Sequence, residues 1–350
     1  MLGSALSTES KDSRASVNRV LRWGFVGTGS IAGWMAAAIK DADGAELVAV
    51  CSRRMKTARE FADTHRIEEA FDSWAEMIAS DRVDAIYVAT PTSVREEICI
   101  AAARHGKHVL GEKPFASLPS LQRITAACRE NGVGFMDATH FVHLPRTADI
   151  KATMQKTVGW PWSLDVAFQF GLTDKSNIRY NPKLEPLGAI GDAGWYNMRA
   201  AVEYLSPNIE IRSVCTHLRR DMDNGAAIAG SGVILFDDES TMTWNCGFDS
   251  GGVNMDLRIS GANGVIRLDD FLDTGPDGIS RFTHHKGGFS DGSVEVIESG
   301  PSKAGPTLMF EDYAAMVLDK QRFELSVRTS ERTQHLLDAV WASGLQNESV

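Results

Sequence analysis

The stretch GFVGTGSIAG, Gly24 to Gly33, decides the fold of the first half of the chain. It follows an apolar run, and Gly27, Gly29 and Ala32 occupy the three small-residue positions of the pattern GxGxxG. In a strand–turn–helix unit the first of these permits a tight turn, the second admits a pyrophosphate close to the backbone, and the third lets helix and strand pack closely. The stretch therefore predicts a dinucleotide-binding turn. A glycine-rich turn without a ligand is the alternative.

The sequence around this turn alternates short apolar runs with segments of helical periodicity. The predicted strands are Arg22–Val26, Glu46–Cys51, Ala85–Ala89, His108–Leu110 and Val133–Met136. The predicted helices are Ser30–Lys40, Lys56–His65, Trp74–Ser80, Ser93–His105 and Ser117–Asn131. Such alternation is typical of an α/β fold with a doubly wound parallel sheet covered by helices on both faces. Residues 20–140 are therefore predicted to form a Rossmann dinucleotide-binding domain.

The end of the second predicted strand indicates which dinucleotide binds. NAD sites usually carry Asp or Glu there, which accepts a hydrogen bond from the ribose 2′-hydroxyl. This chain has Ser52, Arg53 and Arg54 and no acid. A guanidinium pairs well with a 2′-phosphate, so NADP(H) is favoured over NAD(H). A solvated basic turn is the alternative.

The pattern beyond residue 140 changes to one strand after another. Ser163–Phe170 alternates apolar and polar residues, as a strand with one buried face does. Two later segments predict hairpins that turn at Asp237–Ser240 and Gly261–Gly264. Residues 141–350 are therefore predicted to form an α+β domain whose mainly antiparallel sheet is covered on one face by helices, including Gly191–Leu205. Its last stretch, SERTQHLLDAVWASGLQNESV, is expected to form a helix and a short strand.

Composition limits the classes of function. The 350 residues are 43% hydrophobic and 23% charged, with a formal net charge of −10. The acidic balance argues against nucleic acid or an anionic membrane as the main partner, and no apolar run approaches the ~20 residues of a membrane span. The polar residues 1–19 are expected to be a mobile tail or an arm that docks on another surface, and not a secretory signal.

The cysteines indicate a reducing environment. Five are present and widely separated: Cys51, Cys99, Cys128, Cys215 and Cys246. This spacing predicts neither a disulfide framework nor a metal site. A cytoplasmic location is the expectation that fits best.

Two further segments carry a family resemblance. Ala85–Ala116 includes the steps Thr90-Pro91 and Glu112-Lys113-Pro114, and Leu187–Ala200 fits the pattern GxxxDxGxY. With the glycine-rich turn, they resemble the Gfo/Idh/MocA oxidoreductase family. The second pattern resembles the branch that includes glucose–fructose oxidoreductase, dimeric dihydrodiol dehydrogenase and NADP-dependent D-xylose dehydrogenase, and its plant-type members most closely. The resemblance extends nearly to the end of the chain.

The resemblance implies an NADP(H)-dependent dehydrogenase of a sugar, polyol or vicinal diol. It also implies that the sheet of the second domain is open-faced and pairs subunits into a homodimer or homotetramer. The residues expected to bind the cofactor are Gly27, Thr28, Gly29, Ser30, Ile31, Ser52, Arg53, Arg54, Thr90, Pro91, Glu112 and Lys113. One departure is Arg95, where the family commonly has His. A second is Val142, where many members have Arg.

The catalytic residues implied by the resemblance are Lys113, Asp192 and Tyr196. Asp192 and Tyr196 are four residues apart, so they share one face of a helix. The ordinary pKa of tyrosine is ~10, and a neighbouring lysine is expected to lower the pKa of Tyr196 into a useful range for an acid or base. Asp192 is expected to orient a substrate hydroxyl or hold the tyrosine. The alternatives are a helix-capping Asp192, a core tyrosine and Lys113 as the direct proton carrier.

The segment GEKPFAS, Gly111 to Ser117, supports the catalytic role implied for Lys113. In extended backbone neighbouring side chains point to opposite faces, so Glu112 and Lys113 are not expected to neutralise each other. Pro114 keeps Lys113 out of the helical region. A solvated loop is the alternative.

Three more residues are candidates for contact with substrate hydroxyls beside Asp192. They are His140, His143 and Arg179, and each has a structural role as its alternative. A catalytically silent NADP-binding sensor is the competing class of function. The joint presence of Lys113, Asp192 and Tyr196 favours an enzyme.

Overall fold

The computed structural model describes residues 20–205, 210–288, 290–317 and 319–348. The expected tail, residues 1–19, lies outside them. The described chain folds around one parallel and one mainly antiparallel sheet, which confirms the predicted fold class. No helix within these ranges is long and apolar enough to cross a membrane.

The first part of the chain forms the parallel sheet and its connecting helices. The strands are β1 (Leu21–Val26), β2 (Ala45–Cys51), β3 (Glu69–Phe71), β4 (Ala85–Val88), β5 (His108–Gly111) and β6 (Phe135–Asp137). The helices are α1 (Ser30–Ala38), α2 (Met55–His65), α3 (Trp74–Ala79), α4 (Thr92–Arg104) and α5 (Leu118–Glu130). The strand order is β3-β2-β1-β4-β5-β6. Because the order reverses between β1 and β4, a crevice opens there at the carboxyl ends of the strands.

The predicted elements of this part are confirmed to within about two residues at each end. One further strand, β3, was not predicted from the sequence. Its three residues are only half-buried, so they lack the apolar run that identifies the other strands.

The second part of the chain forms the larger sheet. Its elements are α6 (Pro145–Thr153), β7 (Pro161–Gly171), α7 (Gly188–Tyr204), β8 (Ile211–Arg220), β9 (Ala227–Phe236), β10 (Thr241–Gly247), β11 (Asp249–Asn254), β12 (Leu257–Gly261), β13 (Gly264–Leu268), β14 (Ser280–Lys286), β15 (Ser293–Ser299), α8 (Gly305–Met316) and α9 (Lys320–Asn347). The strand order is β15-β14-β13-β12-β7-β10-β9-β8, and β11 also pairs with β7. The pair β7–β10 is parallel and the other pairs of named strands are antiparallel.

Both predicted hairpins, β9–β10 and β12–β13, are confirmed. The short strand expected near the end of the chain is wrong, because α9 continues to Asn347. Leu336, Leu337 and Val340 of this helix are buried, and their spacing is that of a helix face that packs on a core.

Helix α7 brings the two parts of the chain together. It is buried along most of its length and packs on the larger sheet and on α9. A Cβ at Gly191 would lie 2.8 Å from Cγ of Pro114, a distance that real Cβ atoms do not adopt. Glycine at this position therefore lets the turn after β5 contact α7 directly.

Helix α8 lies beyond the predicted boundary at residue 140 but packs on the first sheet. Trp23 of β1 contacts Phe310 and Tyr313 of α8, with ring centroids 5.1 Å and 5.0 Å apart. Met309 and Met316 are buried in the same cluster. The first sheet thus depends on a helix from the far end of the chain to cover one of its faces.

The face of the larger sheet opposite α7 carries mixed polar and apolar residues. Asp165 pairs with Arg258 at 2.8 Å and accepts a hydrogen bond from Thr243. A shallow concavity of about 680 Å³ is lined by these residues and by Val233. This concavity lies away from the crevice of the first sheet, so it is not the candidate active site.

Candidate active site

Two glycines of the turn between β1 and α1 have different roles: Gly27 shapes the turn, and Gly29 leaves open space beside it. Gly27 has φ +119°, and a Cβ there would lie 2.5 Å from the carbonyl oxygen of Ala89. Both facts exclude other residues at this turn. Gly29 faces open space, because beyond its own chain neighbours no atom lies within 4 Å of the position that a Cβ would take. An open backbone surface thus lies at the N-terminus of α1, which begins at Ser30.

The end of β2 lies beside this turn. The hydroxyl of Thr28 donates to the hydroxyl of Ser52 at 3.3 Å. Arg53 and Arg54 follow and are exposed, and within the described residues neither forms an ion pair. Their guanidinium groups are therefore available to an anion at the edge of the turn.

A cleft of about 560 Å³ separates the two parts of the chain. From the first part it is lined by Gly29, Ser30, Ile31, Trp34, Ala89, Thr90, Arg95, Glu112, Lys113 and Pro114. From the second part it is lined by Asp174, Ser176, Asn177, Ile178, Arg179, Glu185, Gly188 and Asp192. The cleft therefore joins half of the predicted cofactor residues to the predicted catalytic lysine and aspartate, and Tyr196 is not among the residues that line it.

Asp192 is the centre of a charged group in this cleft. Its Oδ1 lies 2.8 Å from Nζ of Lys113, its Oδ2 lies 2.7 Å from Nε of Arg179, and its backbone oxygen accepts a second bond from Lys113 at 3.0 Å. Burial alone would raise the pKa of Asp192, but the two cations outweigh it and hold the pKa well below its usual range. The helix begins at Gly188, one turn earlier, so the carboxylate binds cations and does not cap the helix.

Tyr196 lies one helical turn beyond Asp192 and is only 6% exposed. Nζ of Lys113 lies 4.3 Å from the centroid of its ring, so the ammonium packs over the face of the phenol as a cation–π pair. Burial, followed by the carboxylates of Glu112 and Asp192, raises the pKa of Tyr196 well above its ordinary value. The expectation that Lys113 lowers this pKa is therefore wrong, because Asp192 binds the ammonium and burial disfavours the phenolate.

Glu112 and Lys113 take different partners. The carboxylate of Glu112 is buried and accepts hydrogen bonds from the hydroxyl of Tyr87 and from the backbone N–H of Lys113. Burial raises the pKa of Glu112, and the charge of Lys113 offsets part of that effect. The Lys113–Pro114 peptide is cis. Glu112 thus belongs to the wall of the cleft and Lys113 points to α7.

Arg95 connects the two turns that carry the family motifs. Its buried guanidinium donates to the carbonyl oxygen of Thr90 at 2.5 Å, to that of Pro114, and to the hydroxyl of Thr92 at 3.2 Å. The sequence showed only a departure from the usual histidine. In the structure, Arg95 is buried and its hydrogen bonds join the Thr90-Pro91 turn to the Lys113-Pro114 turn.

Glu185 is a further residue of this site that the sequence analysis missed. Its carboxylate accepts from the backbone N–H of Thr92 at 3.0 Å and from the hydroxyl of Thr92 at 2.6 Å. These bonds hold the segment before α7 on the N-terminus of α4. Glu185 and Thr92 are 93 residues apart in the sequence, so no local pattern pairs them.

The two predicted histidines occupy different places. His140 is buried between Trp34 and Tyr196, at ring distances of 5.1 Å and 5.5 Å. Burial, with smaller contributions from nearby cations, lowers its pKa to about 3, so the imidazole is neutral. Nδ1 of His143 instead lies 2.7 Å from Oδ2 of Asp312, beside a separate cavity of about 310 Å³. The structure does not bring His143 to the cleft.

No cluster of three or more His, Cys, Asp or Glu suited to a metal ion occurs in the described part of the chain. All five cysteines are free, and four of them are buried.

Comparison with known proteins agrees with this architecture. Residues 21–138 match the Gfo/Idh/MocA family, described as an oxidoreductase family with an NAD-binding Rossmann fold. The chain is 36% identical to scyllo-inositol 2-dehydrogenase (NADP⁺) of Bacillus subtilis over 138 residues, which is 39% of this chain and 42% of that protein. It is 27% identical to D-xylose 1-dehydrogenase (NADP⁺) 2 of Haloferax volcanii over 75% of this chain and 80% of that protein.

A solved structure extends the likeness to most of the chain. The 3-ketoreductase KijD10 of Actinomadura kijaniata, in complex with NADP and TDP-benzene, superposes with a TM-score of 0.81 at 25% identity. The match covers 92% of this chain and 97% of the ketoreductase. With the family match over residues 21–138 and this likeness of fold over most of the chain, the protein resembles the Gfo/Idh/MocA oxidoreductases.

Proposed function

We propose that the protein is an NADP(H)-dependent oxidoreductase that moves a hydride between the nicotinamide and a sugar, polyol or vicinal diol. The observation that carries the proposal is that Lys113, which lines the cleft that begins at Gly29, contacts both Asp192 and the ring of the buried Tyr196. Relatives named as NADP⁺-dependent sugar and cyclitol dehydrogenases support it. Assay of a panel of sugars and diols with both cofactors tests it, and cofactor binding without any turnover would favour a sensor.

The first domain suits the cofactor. The open surface at Gly29 and the N-terminus of α1 would hold the pyrophosphate, and Ser52 with Arg53 would hold a 2′-phosphate. When bound, NADP(H) supplies or accepts the hydride at its nicotinamide ring. Ile31 and Thr90 line the cleft between this turn and Lys113.

Lys113 is proposed to bind the reacting oxygen of the substrate. An ammonium has three N–H donors, and Asp192 accepts two of them among the described residues. The third is left to polarise a carbonyl, or to hold the corresponding hydroxyl. Asp192, fixed by Arg179, keeps Lys113 in place and remains ionised.

Tyr196 is proposed to exchange the proton. Because its pKa is raised, the phenol is protonated at neutral pH and can serve as the acid that protonates the substrate oxygen in the direction of reduction. In oxidation the same group must first lose its proton, so that direction is favoured by alkaline pH. Lys113 as the direct proton carrier is the alternative, and the two are distinguished by the pH dependence described in the Discussion.

Replacement of Arg53 tests the preference for NADP(H). Arg53→Ala is expected to raise the Kd of NADPH by about tenfold or more, because a charge-assisted bond to phosphate contributes about 1.5–3 kcal/mol. The Kd of NADH should change little, and fluorescence titration measures both. Arg59→Ala, an exposed arginine of α2, is the control. Equal losses for the two cofactors would contradict the preference.

Replacement of Arg95 tests the link between the two motif turns. Arg95→Ala is expected to lower kcat/KM by about a hundredfold, because small displacements of a reacting group have costs of this size. Arg95→His, which restores the residue common in the family, should recover part of the loss. Arg104→Ala, at the exposed end of the same helix, is the control. Wild-type kinetics in Arg95→Ala would show that the turns hold Lys113 without this residue.

We also propose that the chain forms a homodimer or homotetramer through the open face of the larger sheet. The concavity around Asp165 and Arg258 presents paired charges that a second copy can meet in two-fold arrangement. The mass in solution, measured by light scattering, tests this proposal, and a monomer would exclude it.

A further inference from the structure

Trp34 is a large aromatic residue whose position the proposed mechanism does not explain. It lies on α1 one helical turn after Ile31, and both residues line the cleft. Its side chain is 42% exposed, although tryptophan is usually highly buried. The exposed surface belongs to the same cleft as Lys113 and Asp192, so it is available to a molecule bound there.

The side chain of Trp34 packs against the buried ring of His140, which fixes its orientation. His140 contacts it edge-on, with an interplanar angle of 89° and a centroid distance of 5.1 Å. His140 in turn packs against Tyr196, whose ring carries the ammonium of Lys113. Contacts between neighbouring rings therefore connect the exposed indole of Trp34, through His140, to Tyr196 and Lys113. They fix the position of the indole relative to the proposed reacting groups.

Part of this wall is apolar, and some of its polar groups are engaged in local hydrogen bonds. Ile178 also lines the cleft and is 42% exposed. The carboxylate of Asp174 accepts bonds from the N–H and hydroxyl of Ser176, and the side-chain oxygen of Asn177 accepts from the backbone of Arg179. Apolar surface from Trp34 and Ile178 thus accompanies the charged group at Asp192.

We propose that Trp34 is a specificity-determining residue that stacks on the ring of a cyclic substrate. This inference rests on the proposed function and narrows it to a pyranose, cyclitol or cyclic vicinal diol in preference to an open-chain polyol. A ring has an apolar face of C–H groups that packs on an indole, while its hydroxyls point outward to Lys113 and Asp192. An open chain has no such face and must lose rotational freedom to make the same contact.

The test compares cyclic and open-chain probes in wild type, Trp34→Ala and Trp34→Phe. The cyclic probes are D-xylose, scyllo-inositol and trans-1,2-cyclohexanediol, and the open-chain probes are xylitol and 1,2-hexanediol. Trp34→Ala is expected to raise KM for the cyclic probe that turns over by about tenfold, with kcat nearly unchanged. Trp34→Phe should keep most of the affinity. Trp160→Ala, an exposed tryptophan outside the cleft, is the control.

Binding separates this inference from the proposed function. Calorimetric titration of each probe in the presence of NADP⁺ gives a Kd whether or not turnover occurs. If a cyclic probe binds wild type but is not turned over, and Trp34→Ala weakens binding, the stacking role stands and the oxidoreductase proposal fails. If no cyclic probe binds, or if Trp34→Ala binds cyclic and open-chain probes as wild type does, the stacking role is overturned.

Discussion

Lys113→Ala is expected to lower kcat/KM by about a thousandfold. The substitution removes the donor proposed to polarise the substrate oxygen, and the loss of one such donor typically lowers kcat by 10²–10³-fold. It also leaves Asp192 with Arg179 as its only cationic partner within hydrogen-bond distance among the described residues, so the carboxylate is free to bind the substrate in an unproductive way. Oxidation of NADPH, followed by absorbance, measures the effect.

The affinity for the cofactor and the fold should survive this change. The groups proposed to hold the pyrophosphate and the 2′-phosphate lie at Gly29, Ser52 and Arg53 and are untouched by this change, so the Kd of NADPH should rise far less than kcat/KM falls. Lys56→Ala, an exposed lysine of α2, is the control for loss of charge. A Lys113→Ala variant with near wild-type kcat/KM would overturn the proposed mechanism.

Tyr196→Phe is expected to lower kcat by roughly 10²–10⁴-fold, which is the contribution typical of a positioned acid or base. KM should change less, because the ring that packs under Lys113 and against His140 is preserved. Tyr204→Phe is the control, since Tyr204 is a buried tyrosine two turns later on the same helix. A full rate in Tyr196→Phe would exclude the hydroxyl from the reaction.

The pH dependence identifies the proton carrier. The pKa of Tyr196 is raised by burial and by nearby carboxylates, so the protonated phenol persists beyond the ordinary tyrosine pKa of ~10. Reduction should therefore be independent of pH from neutral to alkaline conditions. Oxidation should accelerate about tenfold per pH unit in that range, as the phenolate fraction rises. If Tyr196→Phe retains that slope in its residual rate, Lys113 carries the proton.

The fold could be predicted because its signals are local. Apolar runs mark the buried strands, and helical periodicity marks the helices that pack one face on the core. Gly27 marks the turn that only glycine can make. The three-residue β3 has no such signal. The end of α9 has no such signal either, because its residues from Leu345 onward are exposed and form no apolar face.

The site could be predicted only in part, because its details arise from contacts between distant residues. The family motifs indicated Lys113, Asp192 and Tyr196, and α7 brings all three together. The sign of the pKa shift at Tyr196 depends on how burial compares with neighbouring charges, which no motif encodes. The bonds of Arg95 and Glu185 cross from one motif to another, and His143 binds Asp312 for reasons visible only in three dimensions.

The position of α8 has a consequence for the order in which the chain folds. During synthesis the first sheet leaves the ribosome long before the helix that covers Trp23 does. Until residue 316 has emerged, the aromatic face of β1 has no partner from α8. The core of the first sheet is therefore completed only when nearly the whole polypeptide has been translated.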